Sequence, residues 1–232
     1  LYDREKLFLK NVKDVITFAA AAPPGGGRAI MSERFTSHFH MLCVPQASDD
    51  VLNTIFASIL GGYFQVCKFS DSVSSLSENL VLSTIKIYGQ IAEDLRPTPT
   101  KSHYTFNLRD VAKVFQGMLM VRPKEGNESK KVVGLWIHEC MRVFHDRLID
   151  EEDQTYFKEL LIEVVQSAFS QSWDYEETFV TNTIVFGDYL KMGAGAEDRV
   201  YEEVKDMTAL SQLLDEYLFE YNMTNPVQMN LV

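Results

Sequence analysis

The stretch Asp14-Val15-Ile16-Thr17-Phe18-Ala19-Ala20-Ala21-Ala22-Pro23-Pro24-Gly25-Gly26-Gly27-Arg28 frames the rest of the chain. An apolar or small-residue run without period-two alternation predicts a strand over 14–22, buried on both faces as in a parallel sheet under helices. Pro23-Pro24 end it, because proline has no N–H to give a central ladder. Gly25 to Gly27 permit positive φ and close backbone approach, as in a loop at the end of a parallel strand, where ligands sit. Arg28 adds a permanent positive charge. On its own this pattern equally describes a surface turn with a solvated arginine.

Working outward, residues 1–13 are mixed and charged and predict a partial helix or loop. A short turn or helix follows Arg28, with Ser32 and Glu33 leading to Arg34 and Phe35. Residues 37–44 predict a second strand closed by Pro45, with Phe39, Met41 and Cys43 on one side and His38, His40 and Leu42 on the other. Two strands alone do not make a stable sheet. Either the later chain supplies more strands, or this segment completes a sheet built by residues outside this sequence.

From Ser48 the periodicity turns helical. Ser48-Asp49-Asp50 offers N-cap chemistry, and Val51, Ile55, Ile59 and Phe64 follow at helical spacing. A long helix is predicted over 72–95, with Val73, Leu76, Leu80, Val81, Ile85, Ile87 and Ile91 inward. Residues 101–106 read as an extended link, and Asn107 as the N-cap of a helix from 108 to about 121. Residues 123–128 form a polar turn. Further helices are predicted over 131–149, with Val133, Trp136, Cys140, Phe144 and Leu148 inward, and over 151–169. Residues 179–186 suit a short strand, Gly193-Ala194-Gly195 a linker, and 206–221 a last helix. The fold class is therefore an α/β fragment followed by a mainly α part, divided into 1–46, 47–186 and a connector over 187–232.

Bulk properties narrow the function. The chain has 232 residues, 46% hydrophobic and 24% charged, with a formal net charge of −11. That charge, with no basic cluster denser than Lys130-Lys131, argues against nucleic-acid binding through phosphates. No apolar run approaches the roughly 20 residues that span a bilayer, so no membrane segment is expected. The chain begins at Leu1 and shows no signal or transit pattern. The three cysteines, Cys43, Cys67 and Cys140, are widely spaced and odd in number, which suits a reducing compartment.

Catalytic signatures are scarce. No G-x-x-x-x-G-K-[ST] phosphate loop occurs, and no G-x-S-x-G elbow. His138-Glu139 opens like a zincin motif, but the next histidine is His145. A helix carrying surface Glu139, Arg142, Asp146 and Arg147 in ion pairs is the better reading there, so no metal site is assigned. His38 and His40 share a strand face without a third ligand. Asn107-Leu108-Arg109-Asp110 places an arginine in the first turn of a helix, where the dipole is already positive. A facing phosphate would satisfy Arg109 and the open N–H groups together; an Arg109–Asp110 surface pair is the alternative.

Taken together, these strings resemble the dynein heavy chains. Residues 14–28 with Arg34-Phe35 and His38-Phe39 are similar to the segment after Walker B in the third AAA+ module. The likeness continues through K-S-H-Y-T-F-N-L-R-D (101–110), V-F-Q-G (114–117), L-W-I-H-E (135–139), R-V-F (142–144), D-R-L (146–148), R-V-Y-E-E (199–203) and Tyr221-Asn222. The P-P-G-G-G-R form is closer to axonemal than to cytoplasmic transport heavy chains. The resemblance implies the C-terminal part of an AAA+ α/β subdomain, a helical lid, and the first helix of the next module, with Walker A and Walker B upstream. Arg109 then matches the sensor II arginine, and Ala22 the sensor I position, where alanine cannot orient a water. Arg34 and Arg28 become candidates for an inter-module arginine finger; Ser37 stands where some relatives carry a second arginine.

The implied cofactor is ATP or ADP with Mg in the complete module, none being held by this segment alone. Implied partners are the neighbouring modules and, through other parts of the heavy chain, microtubules and intermediate and light chains. The implied location is the cytoplasmic cytoskeleton and the ciliary axoneme. A helical interaction module without a nucleotide role, and another tandem ring protein such as midasin, are the competing readings. The segment alone is expected neither to hydrolyse ATP nor to fold residues 1–46 stably.

Overall fold

The structure, a computed structural model, describes residues 2–21, 30–170, 172–181, 184–195 and 197–230. The chain divides into two units, Leu1–Gln46 and Ala47–Val232.

Among its described residues the first unit has one short helix, α1 (Glu33–Thr36), and a single antiparallel bridge between Tyr2 and Leu9. The strands expected over 14–22 and 37–44 are not formed there; Ala22 and the turn through Arg28 lie outside the described residues. Ile16 is 80% exposed, Phe18 91% and Leu42 90%. A strand buried on both faces needs neighbours to accept its N–H groups and cover its side chains, and the described residues of this unit supply none.

The second unit builds its own core from helices α2 (Asp49–Val66), α3 (Asp71–Ser74), α4 (Ser77–Asp94), α5 (Leu108–Met118), α6 (Pro123–Gly126), α7 (Ser129–Cys140) and α8 (Glu151–Ala168). Helix α2 packs on α4, α4 on α8, and α5 on α7. Helix α7 is buried on nearly every side from Val132 to Cys140, the mark of a central helix. Its Trp136 is sealed, and the indole N–H donates to Thr84 Oγ1 at 2.8 Å, so this polar atom enters the core with a partner.

Three helical expectations are corrected. In α2 the buried stripe is Leu52, Phe56, Leu60 and Phe64, while Val51, Ile55 and Ile59 are exposed. Both sets recur every four residues, and only a partner, such as Phe115 stacked on Phe56 at 4.8 Å, chooses between them. The helix expected over 72–95 is split at Ser75-Leu76. The Ser75 and Ser77 hydroxyls bond the Ser72 and Ser74 carbonyls, offering the backbone a local alternative to the helix. The helix expected over 131–149 begins at Ser129 and widens into a π-helical turn at Met141–His145, closed by Asp146 N–H on the Met141 carbonyl at 3.1 Å.

Beyond α8, Glu177–Thr181 forms a second π-helical turn in place of the strand expected over 179–186, where residues 182–183 lie outside the described residues. Among the described residues of this unit, strand pairing is that of β1 (Phe186–Gly187), antiparallel to β2 (Glu202–Glu203). Helix α9 (Met207–Thr224) follows. Asp206 caps it by accepting from the Thr208 and Ala209 N–H groups.

Candidate functional site

Helix α5 begins where residues 101–106 meet Asn107. Asn107 Oδ1 accepts the Arg109 backbone N–H at 2.9 Å, and the Asp110 carboxylate accepts the Asn107 N–H at 3.0 Å. This reciprocal cap satisfies donors that a helix start otherwise leaves open. One part of the sequence reading is thereby corrected. The N–H of Arg109 is already used, so an anion arriving here meets the guanidinium and not a row of open N–H groups.

The alternative Arg109–Asp110 pair is not formed either. Asp110, with its side chain 3% exposed, is held by Arg147 Nη2 at 2.8 Å and more loosely by Lys113 Nζ at 3.4 Å. Arg109 is exposed and has no ion pair among the described residues.

Around it Lys101, Asp110, Arg147, Asp150 and Asp153 are engaged in a brace. Lys101 Nζ lies 2.6 Å from Asp153 and also meets Asp150. These two carboxylates, Asp150 first, raise the Lys101 pKa above its ordinary value. Tyr104, 1% exposed, donates its hydroxyl to Asp153 at 2.9 Å and accepts the Ile149 N–H at 3.0 Å. A His103 ring nitrogen meets the Arg147 carbonyl at 2.9 Å, and the Arg147 guanidinium sits 5.2 Å from the Phe106 ring. Residues 101–107, the first turn of α5 and residues 146–153 thus form one block. The exposed ion pairs add little stability each, whereas Asp110 is buried, and stripping its partner would leave a desolvated charge.

A second polar cluster lies at the other end of α5. Glu139 was expected on the surface, but its side chain is 0% exposed. Arg142 donates to its Oε2 from Nε at 2.9 Å and from Nη2 at 2.7 Å, and the Tyr201 hydroxyl donates to Oε1. Gly117 makes room for this carboxyl, because a Cβ there would overlap it. Burial first, then the Glu139 carboxylate, pushes the Tyr201 phenol far above its ordinary pKa, so it remains a donor.

The zincin-like reading gains no geometry. Among the described residues no three His, Cys, Asp or Glu side chains converge for a metal. Burial lowers the His138 pKa, and its Nε2 has no partner among the described residues. A cavity of about 300 Å³ beside Gly134, Trp173, Thr178 and Phe186 does not include Arg109 in its lining. The candidate arginine is therefore presented on a surface.

Of the other sequence candidates, Ala22 and Arg28 lie outside the described residues. Arg34 is exposed on α1 in the first unit, without an ion pair among the described residues. Sequence reasoning missed Arg147 as the clamp on Asp110 and Tyr201 as the partner of Glu139. The Asn107-x-x-Asp110 spacing signals the cap. No local signal links Glu139 to a tyrosine 62 residues away.

Two family models match the chain: "P-loop containing dynein motor region" over residues 1–47 and "Dynein heavy chain, ATPase lid domain" over residues 62–154. Human dynein axonemal heavy chain 6 is 43% identical over 231 residues, covering all of this chain and 6% of that protein. Human dynein axonemal heavy chain 10 is 39% identical over 233 residues, again all of this chain and 5% of the relative. The Chlamydomonas reinhardtii dynein-1-beta heavy chain of the flagellar inner arm I1 complex is 40% identical over 225 residues, 95% of this chain and 5% of the relative. The chain spans a small fraction of the length of each. With two models of one family matched in order along it, and axonemal relatives aligned over essentially its whole length, the chain belongs to the dynein heavy chain family.

Proposed function

We propose that this chain is part of the motor ring of an axonemal dynein, from the third AAA+ module into the start of the fourth. Residues 47–186 serve as the lid of a regulatory nucleotide site, 1–46 complete its α/β subdomain, and 187–232 lead into the next module. Arg109 reaches the nucleotide phosphates as a sensor. The observation that carries this reading is the exposed Arg109 guanidinium, unpaired among the described residues, on a helix start that is capped and braced by Asp110, Arg147, Lys101 and Tyr104.

The capped helix start fixes the backbone from which this side chain extends, so only the side chain itself has to be ordered on a phosphate, and the brace carries the displacement into α5 and α8. When bound, the nucleotide phosphates, partly neutralised by Mg, would supply the negative charge that Arg109 meets. Ala22 offers no group to orient a water, which suits a site that regulates. Arg34 and Arg28 remain candidates for contact with the preceding module's nucleotide.

In this reading the whole motor hydrolyses ATP and moves on microtubules in the axoneme, within the cytoplasmic cytoskeleton. Its partners are the adjacent modules and, through other regions, intermediate and light chains. Family membership removes midasin as a reading. The test is Arg109→Ala in the complete heavy chain, assayed by microtubule gliding over a range of ATP. Slowed gliding, partly restored by Arg109→Lys, is expected. Gliding unchanged by Arg109→Ala would return the lid to a helical interaction module without a nucleotide role.

A further inference from the structure

We infer that Glu139 and Tyr201 form a latch that passes displacement of α5 to the segment entering α9. Helix α5 has 11 residues, with Arg109 in its first turn and Gly117 in its last. At Gly117 the helix lies so close to the Glu139 carboxyl that a single methyl group would collide with it. Glu139 is anchored on one oxygen by Arg142 in the π-helical turn and gives its other oxygen to the Tyr201 hydroxyl. Tyr201 is 9% exposed and lies against Phe186, with ring centroids 6.2 Å apart.

From Tyr201 the chain pairs with β1 through β2, and the Val204 N–H donates to the Val185 carbonyl at 2.8 Å. Asp206, two residues on, caps α9, and Tyr217 of α9 donates to the Tyr189 carbonyl at 3.0 Å. A rigid helix therefore has the candidate arginine at one end and, at the other, one carboxylate on which the lead-in to α9 is hung. A buried carboxylate held by two donor side chains is a directional joint: it resists sliding where apolar contacts would let the segment slip.

What α5 reports rests on the reading of Arg109; the latch itself does not. Hydrogen exchange of the 232-residue chain without nucleotide tests the latch separately. Tyr201→Phe removes one hydroxyl and leaves the ring in place. Exchange at residues 200–204 should rise by roughly tenfold or more, as for loss of a bond to a charged group, with α4 and α8 unchanged. Gly117→Ala displaces the carboxyl and should open the same residues, while the pair Gly117→Ala with Tyr201→Phe should open them no further than Tyr201→Phe alone. Unchanged exchange at 200–204 in Tyr201→Phe, or an equal rise across α4 and α8, would overturn the latch. Either result leaves the phosphate reading of Arg109 standing, because no nucleotide is present.

Discussion

Residues 2–46 and 47–206 are both rich in large apolar side chains, yet only the second region buries them. Phe18 is 91% and Leu42 90% exposed, while Leu60, Phe64, Val73 and Trp136 are all at 0%. The difference lies in where each element finds its hydrogen bonds. A helix satisfies its backbone internally, so a chain of helices needs only to fold its apolar faces together. A strand must borrow its partners, and a sheet segment without its neighbours has nothing to bury against. The first region has apolar runs that suggest strands but forms none among its described residues, and the second builds its own core.

The contrast can be broken most directly at its extremes. Trp136→Ala should cost about 3–5 kcal/mol in urea unfolding, combining a large cavity with the loss of the buried hydrogen bond to Thr84, whereas Phe18→Ala should change stability by less than about 0.5 kcal/mol. Equal costs would mean that residues 2–46 share the core. Arg147→Ala comes next, at about 1–3 kcal/mol, because it strips the main partner from the buried Asp110 carboxylate. A cost near zero would mean that the brace around α5 is solvated and cannot hold Arg109 in place.

The smallest effect is a pH dependence confined to the second region. Burial lowers the His138 pKa from its ordinary 6.5. The unfolded chain therefore binds a proton more readily than the folded one. The contribution is fully present above about pH 6.5 and is lost as pH falls toward the lower folded value. Unfolding midpoints at about pH 7.5 and about pH 5.5 should differ less in His138→Gln than in the parent. An unaltered difference would remove His138 as the cause.

Much of the second region was legible because its signals are local. Helices α7 and α8 and their inner residues, Trp136, Phe157 and Leu161 among them, follow from helical spacing, and the Asn107 cap from a side chain next to a helix start. Partner-dependent features were not legible. Val51 and Leu52 head equally regular stripes, and only the packing of α2 decides between them. The break at Ser75 depends on hydroxyls competing with the backbone. Glu139 reads as a surface residue because its charge suggests solvent, and nothing near it in sequence announces Tyr201. At the candidate site, Arg109 stood out by its position at a helix start. Its isolation from Asp110 became visible only once Arg147 was found on that carboxylate. In the first region the apolar runs suggested strands over 14–22 and 37–44, and none forms there among the described residues, because a strand depends on partners that no local pattern specifies.

The central claim is that a braced arginine on the lid touches nucleotide phosphate. It is tested most directly by nucleotide affinity in a complete heavy chain whose other modules have had their phosphate loops disabled. Arg109→Ala should weaken ADP and ATP binding by roughly tenfold or more, as expected for a lost charge-assisted bond, while adenosine binding and the unfolding midpoint stay as in the parent. Unchanged affinity for all three ligands would contradict the claim.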